Sequence, residues 1–321
     1  MFETPVLFLI FNRPEITKRV FDAIRLARPK QLFIAADGPR NNNESDITRC
    51  NQTRQLVLEN IDWPCEVTTL LRDENLGCGR GPAEAITWFF EHVEQGIILE
   101  DDCLPSASFF LFCEELLEKY KQDERIQSIA GTNQFKNWLS GDSSYFFALQ
   151  SGIWGWATWR RAWQEYDFYV KKWIDPDIQH KFKSHFLSYN ELETYTAALN
   201  KASMMESVSW WDYQWIFSRL TSSRVGIVPK SNLVSNIGFG VDASHTFNTN
   251  SILSALPISE LDFPLKHPNA IMIDKEFDEK HSNTFYARTR KNGLKEFLIK
   301  MISKALRTIL STKYFSIIAR R

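Results

Sequence analysis

Four strand-and-helix units follow one another in the first part of the chain, and this order constrains the fold more than any other feature of the sequence. Each unit pairs a short apolar run with an amphipathic stretch, which predicts a strand followed by a helix. Such an alternation is typical of a mainly parallel sheet with helices on both faces and right-handed crossovers. The predicted strands are 6–11, 31–36, 65–71 and 96–99, and the predicted helices are 14–27, 44–60, 82–94 and 106–121.

Polar or charged residues follow each of the four predicted strands. The carboxyl ends of parallel strands meet along one edge of an open sheet, and ligands bind in the crevice beyond that edge. The sequence therefore predicts a binding site built from Asn12 and Arg13, residues 37–40, residues 72–80 and residues 100–102.

The acidic triplet Glu100, Asp101 and Asp102 is the sharpest feature of this predicted edge. In an extended backbone Glu100 and Asp102 share one face while Asp101 points away, so the three carboxylates cannot form one tight cage. Mn²⁺ and Mg²⁺ bind through few protein carboxylates when water and substrate phosphates complete the shell. The triplet thus predicts a metal site completed by a diphosphate; the alternative is an acidic loop that favours the start of the next helix.

The second half of the chain is rich in aromatic residues and less regular. Residues 151–159 include Trp154 and Trp156, helical stretches are predicted over 175–205 and 212–222, and a strand over 225–228. The tryptophans can fill a core or stack on sugar rings, and the sequence leaves both open. A long loop over 232–250 contains His245, a further candidate metal ligand.

Several short motifs occur in an order that resembles GT-A-type nucleotide-sugar glycosyltransferases, particularly the inverting N-acetylglucosaminyltransferase I group and its bacterial relatives. They are Phe11-Asn12-Arg13-Pro14, Ala36-Asp37-Gly38, Asn75 to Arg80, Glu100-Asp101-Asp102 and Trp210-Trp211-Asp212. The resemblance covers about residues 5–245. It implies a GT-A-type (Rossmann-like) fold, a metal ion at Asp102 and a catalytic base at Asp212. The donor-binding residues would be Asn12, Arg13, Asp37, Gly38, Asn75, Arg80, Glu100 and Asp101, and the acceptor residues Trp154, Trp156 and Trp211.

These roles agree with the chemistry of the side chains. Asp37 can accept a hydrogen bond from a nucleotide base, and Arg13 can donate to a base carbonyl or a phosphate. An acceptor hydroxyl needs a carboxylate to take its proton, which is the role expected of Asp212, although Asp212 can also cap the following helix. We expect an inverting, metal-dependent hexosyl- or N-acetylhexosaminyltransferase that moves sugar from a UDP-sugar to a glycan or lipid-linked acceptor.

The expected organisation is a glycosyltransferase domain over 1–250, with a nucleotide-sugar half at 1–135 and an acceptor half at 136–250. A wrapping extension would follow over 251–291. Residues 292–321 carry seven Lys and Arg side chains and one Glu, with apolar residues at helical spacing. This pattern predicts a basic amphipathic helix that either packs on its own domain or lies on an anionic membrane surface.

Charge and cysteine content limit the classes of protein to which this chain can belong. A net charge of −1 gives no indication of nucleic-acid binding. Five cysteines without a C-x-x-C pair argue against a disulfide framework, and no apolar stretch is long enough to span a membrane, so we expect a cytoplasmic protein with peripheral contact at the inner membrane face as an option.

Other enzyme classes fit the sequence less well. The missing G-x-G-x-x-G after the first strand excludes a dehydrogenase, and neighbouring carboxylates on opposite faces do not suit a glycoside hydrolase. A sugar-phosphate nucleotidyltransferase would share the fold, but the glycine-rich loop expected after its first strand is absent. A non-catalytic carbohydrate- or membrane-binding protein is the remaining alternative.

Overall fold

The computed structural model describes residues 2–138, 141–205, 207–240 and 251–286. Ten strands and nine α-helices are present in these residues, with a short 3₁₀ helix at Lys171–Ile174. The strands are β1 Val6–Ile10, β2 Gln31–Ala36, β3 Glu66–Leu71, β4 Gln95–Glu100, β5 Cys103–Pro105, β6 Ile126–Ala130, β7 Tyr145–Ala148, β8 Trp156–Trp159, β9 Val225–Pro229 and β10 Val234–Asn236. The helices are α1 Pro14–Ala27, α2 Glu44–Glu59, α3 Gly77–His92, α4 Ala107–Lys119, α5 Arg160–Trp163, α6 Pro176–Lys183, α7 Tyr189–Ser203, α8 Asp212–Thr221 and α9 Lys275–Phe285.

Eight strands form one sheet in the order β3-β2-β1-β4-β8-β6-β9-β7. The first four are parallel, and β6 and β9 run in the same direction, whereas β8 and β7 are antiparallel to their neighbours. The sheet is therefore mainly parallel, with helices packed on it, and the predicted α/β class is confirmed. A small antiparallel ribbon joins β10 to β5.

Both faces of the sheet are buried at the apolar strands β1, β2 and β4, whereas the edge strand β3 is largely exposed. On β1, Val6 and Phe8 belong to one core cluster with residues of α1 and α4, while Leu7 and Leu9 belong to a second cluster with residues of α3 and α8. Alternate residues of β1 thus pack against helices on opposite faces of the sheet. This packing fixes the level in the sheet at which the four parallel strands end.

Two details differ from the sequence expectation. The helix expected to start at residue 82 begins at Gly77, because the Asp37 carboxylate accepts the backbone N–H groups of Leu76 and Gly77 and so binds the first turn. The tryptophan-rich segment contains strand β8, which lies between β4 and β6 inside the sheet. Its side chains alternate between the two core clusters, with Ala157 and Trp159 in one and Trp156 in the other.

Residues 251–286 pack against the rest of the described chain. Within α9, Phe277 is buried against Phe146, with ring centroids 4.8 Å apart. The Asp278 carboxylate accepts the backbone N–H groups of Leu149 and Gln150 at 3.1 and 3.0 Å. These contacts tie α9 to the strand end beyond β7. No helix in the described residues is long and apolar enough to cross a membrane.

Candidate functional site

One cleft of about 640 Å³ lies at the carboxyl ends of the four parallel strands. This is the edge at which the sequence predicts a site. Six of the eight predicted donor-binding residues line it, namely Asn12, Arg13, Asp37, Asn75, Glu100 and Asp101. Parallel strands of matched height bring their end residues together, so separate positions in the sequence share one cleft.

The acidic triplet lies at the end of β4 and is neutralised in part by Arg13. The Arg13 guanidinium donates to Asp101 Oδ1 and, at 3.0 Å, to Asp102 Oδ2. Burial alone would lower the pKa of Arg13, but the two carboxylates outweigh that effect and raise it. Burial, together with the charges of Asp102 and Asp101, raises the pKa of Glu100 to about 8. The site therefore holds more acidic groups than its one contacting cation can balance.

The residues around the triplet fit a divalent cation that takes most of its ligands from outside the protein. Asp101 Oδ2 is buried without a hydrogen-bond partner in the described residues, and Asp102 Oδ1 accepts from the Asn236 amide at 3.3 Å. No group of three or more His, Cys, Asp or Glu side chains in the described ranges could hold a metal ion by itself. Mg²⁺ and Mn²⁺ commonly use one or two carboxylates and complete their shell with water and phosphate oxygens.

Asp37 has a structural role that the sequence analysis did not identify. Its carboxylate accepts the N–H groups of Leu76 and Gly77 at 3.0 to 3.1 Å, at the beginning of α3. Burial raises the pKa of Asp37, although these backbone N–H groups oppose the shift. The predicted contact of Asp37 with a nucleotide base stays a prediction, and it would use oxygens that already stabilise α3.

Replacing Asp37 with Ala should lower the free energy of unfolding by about 1 kcal/mol, because α3 loses the acceptor for its first N–H groups. Asp37→Asn keeps one acceptor oxygen and should lower the free energy of unfolding by less than Asp37→Ala does. Urea unfolding of both variants checks this order, and nucleotide calorimetry on Asp37→Asn tests the predicted base contact separately. Equal loss of stability in the two variants would contradict the capping role.

Gly38 and Asn75 join the loops that follow β2 and β3. The Asn75 amide donates to the Gly38 carbonyl at 2.8 Å, and the Gly38 N–H donates to the Glu74 carbonyl at 3.2 Å. A Cβ on Gly38 would lie 2.5 Å from the Glu74 backbone, so the close approach of the loops requires glycine. Gly38 thus shapes the cleft through the backbone.

Arg80 does not line the cleft. Its side chain is 52% exposed and pairs with Glu84 one helical turn further along α3. The guanidinium of Arg72 lines the cleft instead, and Arg72 donates to the Gly81 carbonyl at 3.3 Å. A position at the start of a helix predicted Arg80 as a phosphate ligand, but the helix begins three residues earlier, which turns this side chain to the surface.

Residues from α2 and the preceding loop form a second wall of the cleft that the sequence analysis missed. Asp46 is 1% exposed; it accepts from the Asn12 amide at 2.7 Å and from Arg40 at 2.5 Å. The hydrogen bond from Arg40 lowers the pKa of Asp46 to about 2. In the same wall, the Arg49 guanidinium donates to the Asn12 carbonyl at 2.7 Å. The signal was present: Asp46 begins the buried face of α2, where an apolar residue would be expected.

Asp212 is the first residue of α8 and is not among the residues that line the cleft. Its charge contributes to the raised pKa of Glu100. The chain before it packs on the start of α3: Cys78, which lines the cleft, contacts the Ser209 carbonyl at 3.2 Å. A Cβ on Gly79 would lie 2.2 Å from the Val208 carbonyl oxygen, so this approach is also close.

Two of the three predicted acceptor tryptophans belong to the core. Trp156 and Trp211 are 1% and 4% exposed and stack on each other with ring centroids 5.6 Å apart. This corrects the expectation that they bind acceptor, because neither ring has a face open to a sugar. Trp154 is half-buried and contacts Phe239, so its acceptor role stays a prediction. His245 and the tail 292–321 lie outside the described residues.

The fold and cleft define an α/β protein with an open sheet and a polar binding cleft beyond the carboxyl ends of its strands, the place where such sheets bind their ligands. No protein-family model matches the sequence, and no curated protein sequence does so either.

Solved structures resemble the chain only weakly. HddC from Yersinia pseudotuberculosis matches with a TM-score of 0.30 and 9% identity over 51% of this chain and 80% of that chain. The same protein complexed with GMP-PN matches with a TM-score of 0.29 and 9% identity over 49% of this chain and 77% of that chain. An inositol-1-phosphate CTP transferase from T. maritima matches with a TM-score of 0.40 and 9% identity over 78% of this chain and 93% of that chain. Similarities this weak carry no argument about the activity of this chain.

Proposed function

We propose that this chain is a transferase that binds a nucleotide-diphosphate sugar in the cleft and moves the sugar to an acceptor hydroxyl. Asp212 takes the proton from that hydroxyl. UDP is the nucleotide expected from the sequence resemblance, and inversion at the sugar carbon follows from a single displacement by the acceptor.

The observation that supports this proposal is the acidic triplet at the carboxyl end of β4, together with the electrostatic influence of Asp212 on Glu100. Asp101 and Asp102, joined by Arg13, lie where a diphosphate would bind, and Asp212 lies close enough to influence Glu100 beside them. Sugar transfer needs both parts: a charged group that stabilises the leaving diphosphate and a base for the acceptor.

Asp102, with Asp101, would hold a bound Mn²⁺ or Mg²⁺, which would supply positive charge to the leaving diphosphate. Arg13 would keep both carboxylates in place and donate to a phosphate oxygen. Arg49 and Arg72, which also line the cleft, offer two further guanidinium groups for phosphate or ribose oxygens.

A sugar-phosphate nucleotidyltransferase is the second candidate. Four arginines at the cleft, Arg13, Arg40, Arg49 and Arg72, could also accommodate a triphosphate. Only Phe11, Asn12 and Arg13 separate β1 from α1, which leaves no room there for a long phosphate-binding loop.

One set of assays separates the two reactions. The wild-type protein is incubated with UDP-, GDP-, CDP- and dTDP-sugars and an acceptor panel, and separately with nucleoside triphosphates and sugar 1-phosphates. We expect release of nucleoside diphosphate from one of the sugar nucleotides in the presence of Mn²⁺, with loss of activity in chelator. Asp102→Asn should abolish the metal-dependent part of nucleotide binding in calorimetry.

Asp62→Asn is the matched control, because Asp62 is an exposed carboxylate paired with Arg25 outside the cleft. It should bind nucleotide as the wild type does. Pyrophosphate release from a triphosphate, without diphosphate release from any sugar nucleotide, would show that the second candidate is correct. Failure to bind any nucleotide with or without Mn²⁺ would contradict both and favour a non-catalytic carbohydrate-binding protein.

A further inference from the structure

Four tyrosines from separate parts of the chain lie within electrostatic range of Asp212. Tyr213 follows Asp212 in α8, Tyr166 comes after α5, Tyr195 lies in α7, and Tyr286 ends α9. Burial raises the pKa of all four phenols, and the negative charge of Asp212 raises it further in each case. At neutral pH these groups are therefore O–H donors close to one carboxylate.

Direct contacts hold this tyrosine group together. The rings of Tyr195 and Tyr213 have centroids 5.1 Å apart, and the Tyr195 ring centroid lies 6.2 Å from that of Tyr286. The Tyr166 hydroxyl donates to the carbonyl of Trp211, the residue before Asp212, at 3.2 Å. The group is thus built from four elements that the sequence does not place near one another.

The C-terminal extension takes part in the group through Tyr286. The Tyr286 carbonyl accepts from the Asn190 amide at 3.0 Å, which joins the end of α9 to α7. Further along, Ser282 donates to Glu191 Oε2 at 2.7 Å in the same pair of helices. Residues 251–286 therefore contribute to the electrostatic surroundings of Asp212.

The chemistry of this region is aromatic, hydroxylic and acidic. The charge of Asp212 contributes to the raised pKa of Glu100, and the Lys201 ammonium lies over the Trp210 ring, 5.8 Å from its centroid. Tyrosine rings and hydroxyls bind the apolar faces and hydroxyl groups of sugars, whereas the Asp212 carboxylate repels an anionic group.

We infer that Tyr213 and Tyr286 form the acceptor-binding side of the site and that they select a neutral sugar, presented by its hydroxyl groups, over an acidic sugar. This inference rests on the proposed function, since it assigns an acceptor class to the same site. It also gives residues 251–286 a direct role in binding the acceptor.

Tyr213→Phe and Tyr286→Phe test the inference, because each removes one hydroxyl and keeps the ring. A lost hydrogen bond of about 1 kcal/mol corresponds to roughly a fivefold change, so we expect kcat/KM for the acceptor to fall about 5- to 10-fold in each variant. The nucleotide Kd and the rate at which the donor sugar is transferred to water should stay at wild-type values. Urea unfolding establishes that both variants are folded.

Tyr120→Phe is the matched control. Tyr120 and Tyr145 form another buried tyrosine pair, with hydroxyls 2.7 Å apart, in the core cluster that contains Phe147 and not the Asp212 group. Loss of that hydroxyl should leave kcat/KM for the acceptor unchanged. An equal fall in the control would show that the effect is one of general packing and would overturn the inference.

The acceptor class is tested with p-nitrophenyl glycosides of neutral hexoses and of the matching hexuronic acids. We expect transfer to a neutral glycoside and at least a tenfold lower kcat/KM for its acidic counterpart. Equal or better transfer to the acids, no transfer to any neutral glycoside, or wild-type kcat/KM in both tyrosine variants would overturn the inference. If the wild type cleaves no sugar nucleotide at all, the proposed function itself is wrong.

Discussion

Replacement of Asp212 with Asn is expected to reduce sugar transfer about 10²- to 10⁴-fold, the usual contribution of a positioned general base. Asn has nearly the same shape but does not take a proton from the acceptor hydroxyl. Nucleotide affinity should be unchanged, because the diphosphate would bind at Asp101, Asp102 and Arg13 rather than at the start of α8. Transfer rates measured at saturating donor, beside calorimetric nucleotide Kd values, separate the two effects.

Because Asp212 lies in the first turn of α8, its carboxylate could instead serve to stabilise that helix. The same variant tests this second role. A carboxylate there stabilises a helix by only about 0.3 to 1 kcal/mol, which Asn largely preserves as a helix-capping residue. If Asp212 served the helix alone, Asp212→Asn would transfer sugar at the wild-type rate. That result would remove Asp212 from the proposed reaction.

Replacement of Arg13 with Gln is expected to destabilise the protein and abolish nucleotide binding. The Arg13 side chain is 16% exposed and contacts both Asp101 and Asp102. Removing one partner from a largely buried ion pair leaves uncompensated charge, and we expect a loss of about 2 to 4 kcal/mol in the free energy of unfolding. Urea unfolding in chelator measures this loss.

Mn²⁺ provides a sharper version of the Arg13 experiment. A divalent cation at Asp101 and Asp102 would replace the missing positive charge, so the unfolding midpoint of Arg13→Gln should rise more on addition of Mn²⁺ than that of the wild type. Arg25→Gln, which removes an exposed pairing with Asp62, should show wild-type unfolding with and without Mn²⁺. An Arg13→Gln protein that is as stable as the wild type and binds nucleotide would contradict the role given to Arg13.

The nucleotide side of the site follows from the sequence more fully than the acceptor side. Parallel strands place their end residues together whatever the details of packing, so Asn12, Asp37 and Glu100 could be assigned to one edge from periodicity alone. Arg49 could not, because it lies within a helix, and which face of α2 meets the cleft depends on the packing of that helix. Asp46 gave a signal only as a charged residue on the buried face of α2.

The acceptor side depends on long-range contacts that no local pattern records. Trp156 looks the same in the sequence whether it stacks on a sugar or fills a core, and only the insertion of β8 into the sheet decides for the core. The tyrosines around Asp212 come from four elements, so their meeting point follows from the packing of α7, α8 and α9 rather than from any spacing. Strands β5 to β8 and β10 were also not predicted.

The place of β8 has a practical consequence for protein engineering. Because β8 pairs with β4 on one side and β6 on the other, a truncated polypeptide ending near residue 135 would retain β4 and β6 but lose the strand between them. Both strands would then expose open backbone edges that invite intermolecular pairing. Isolated expression of residues 1–135 should accordingly give aggregates.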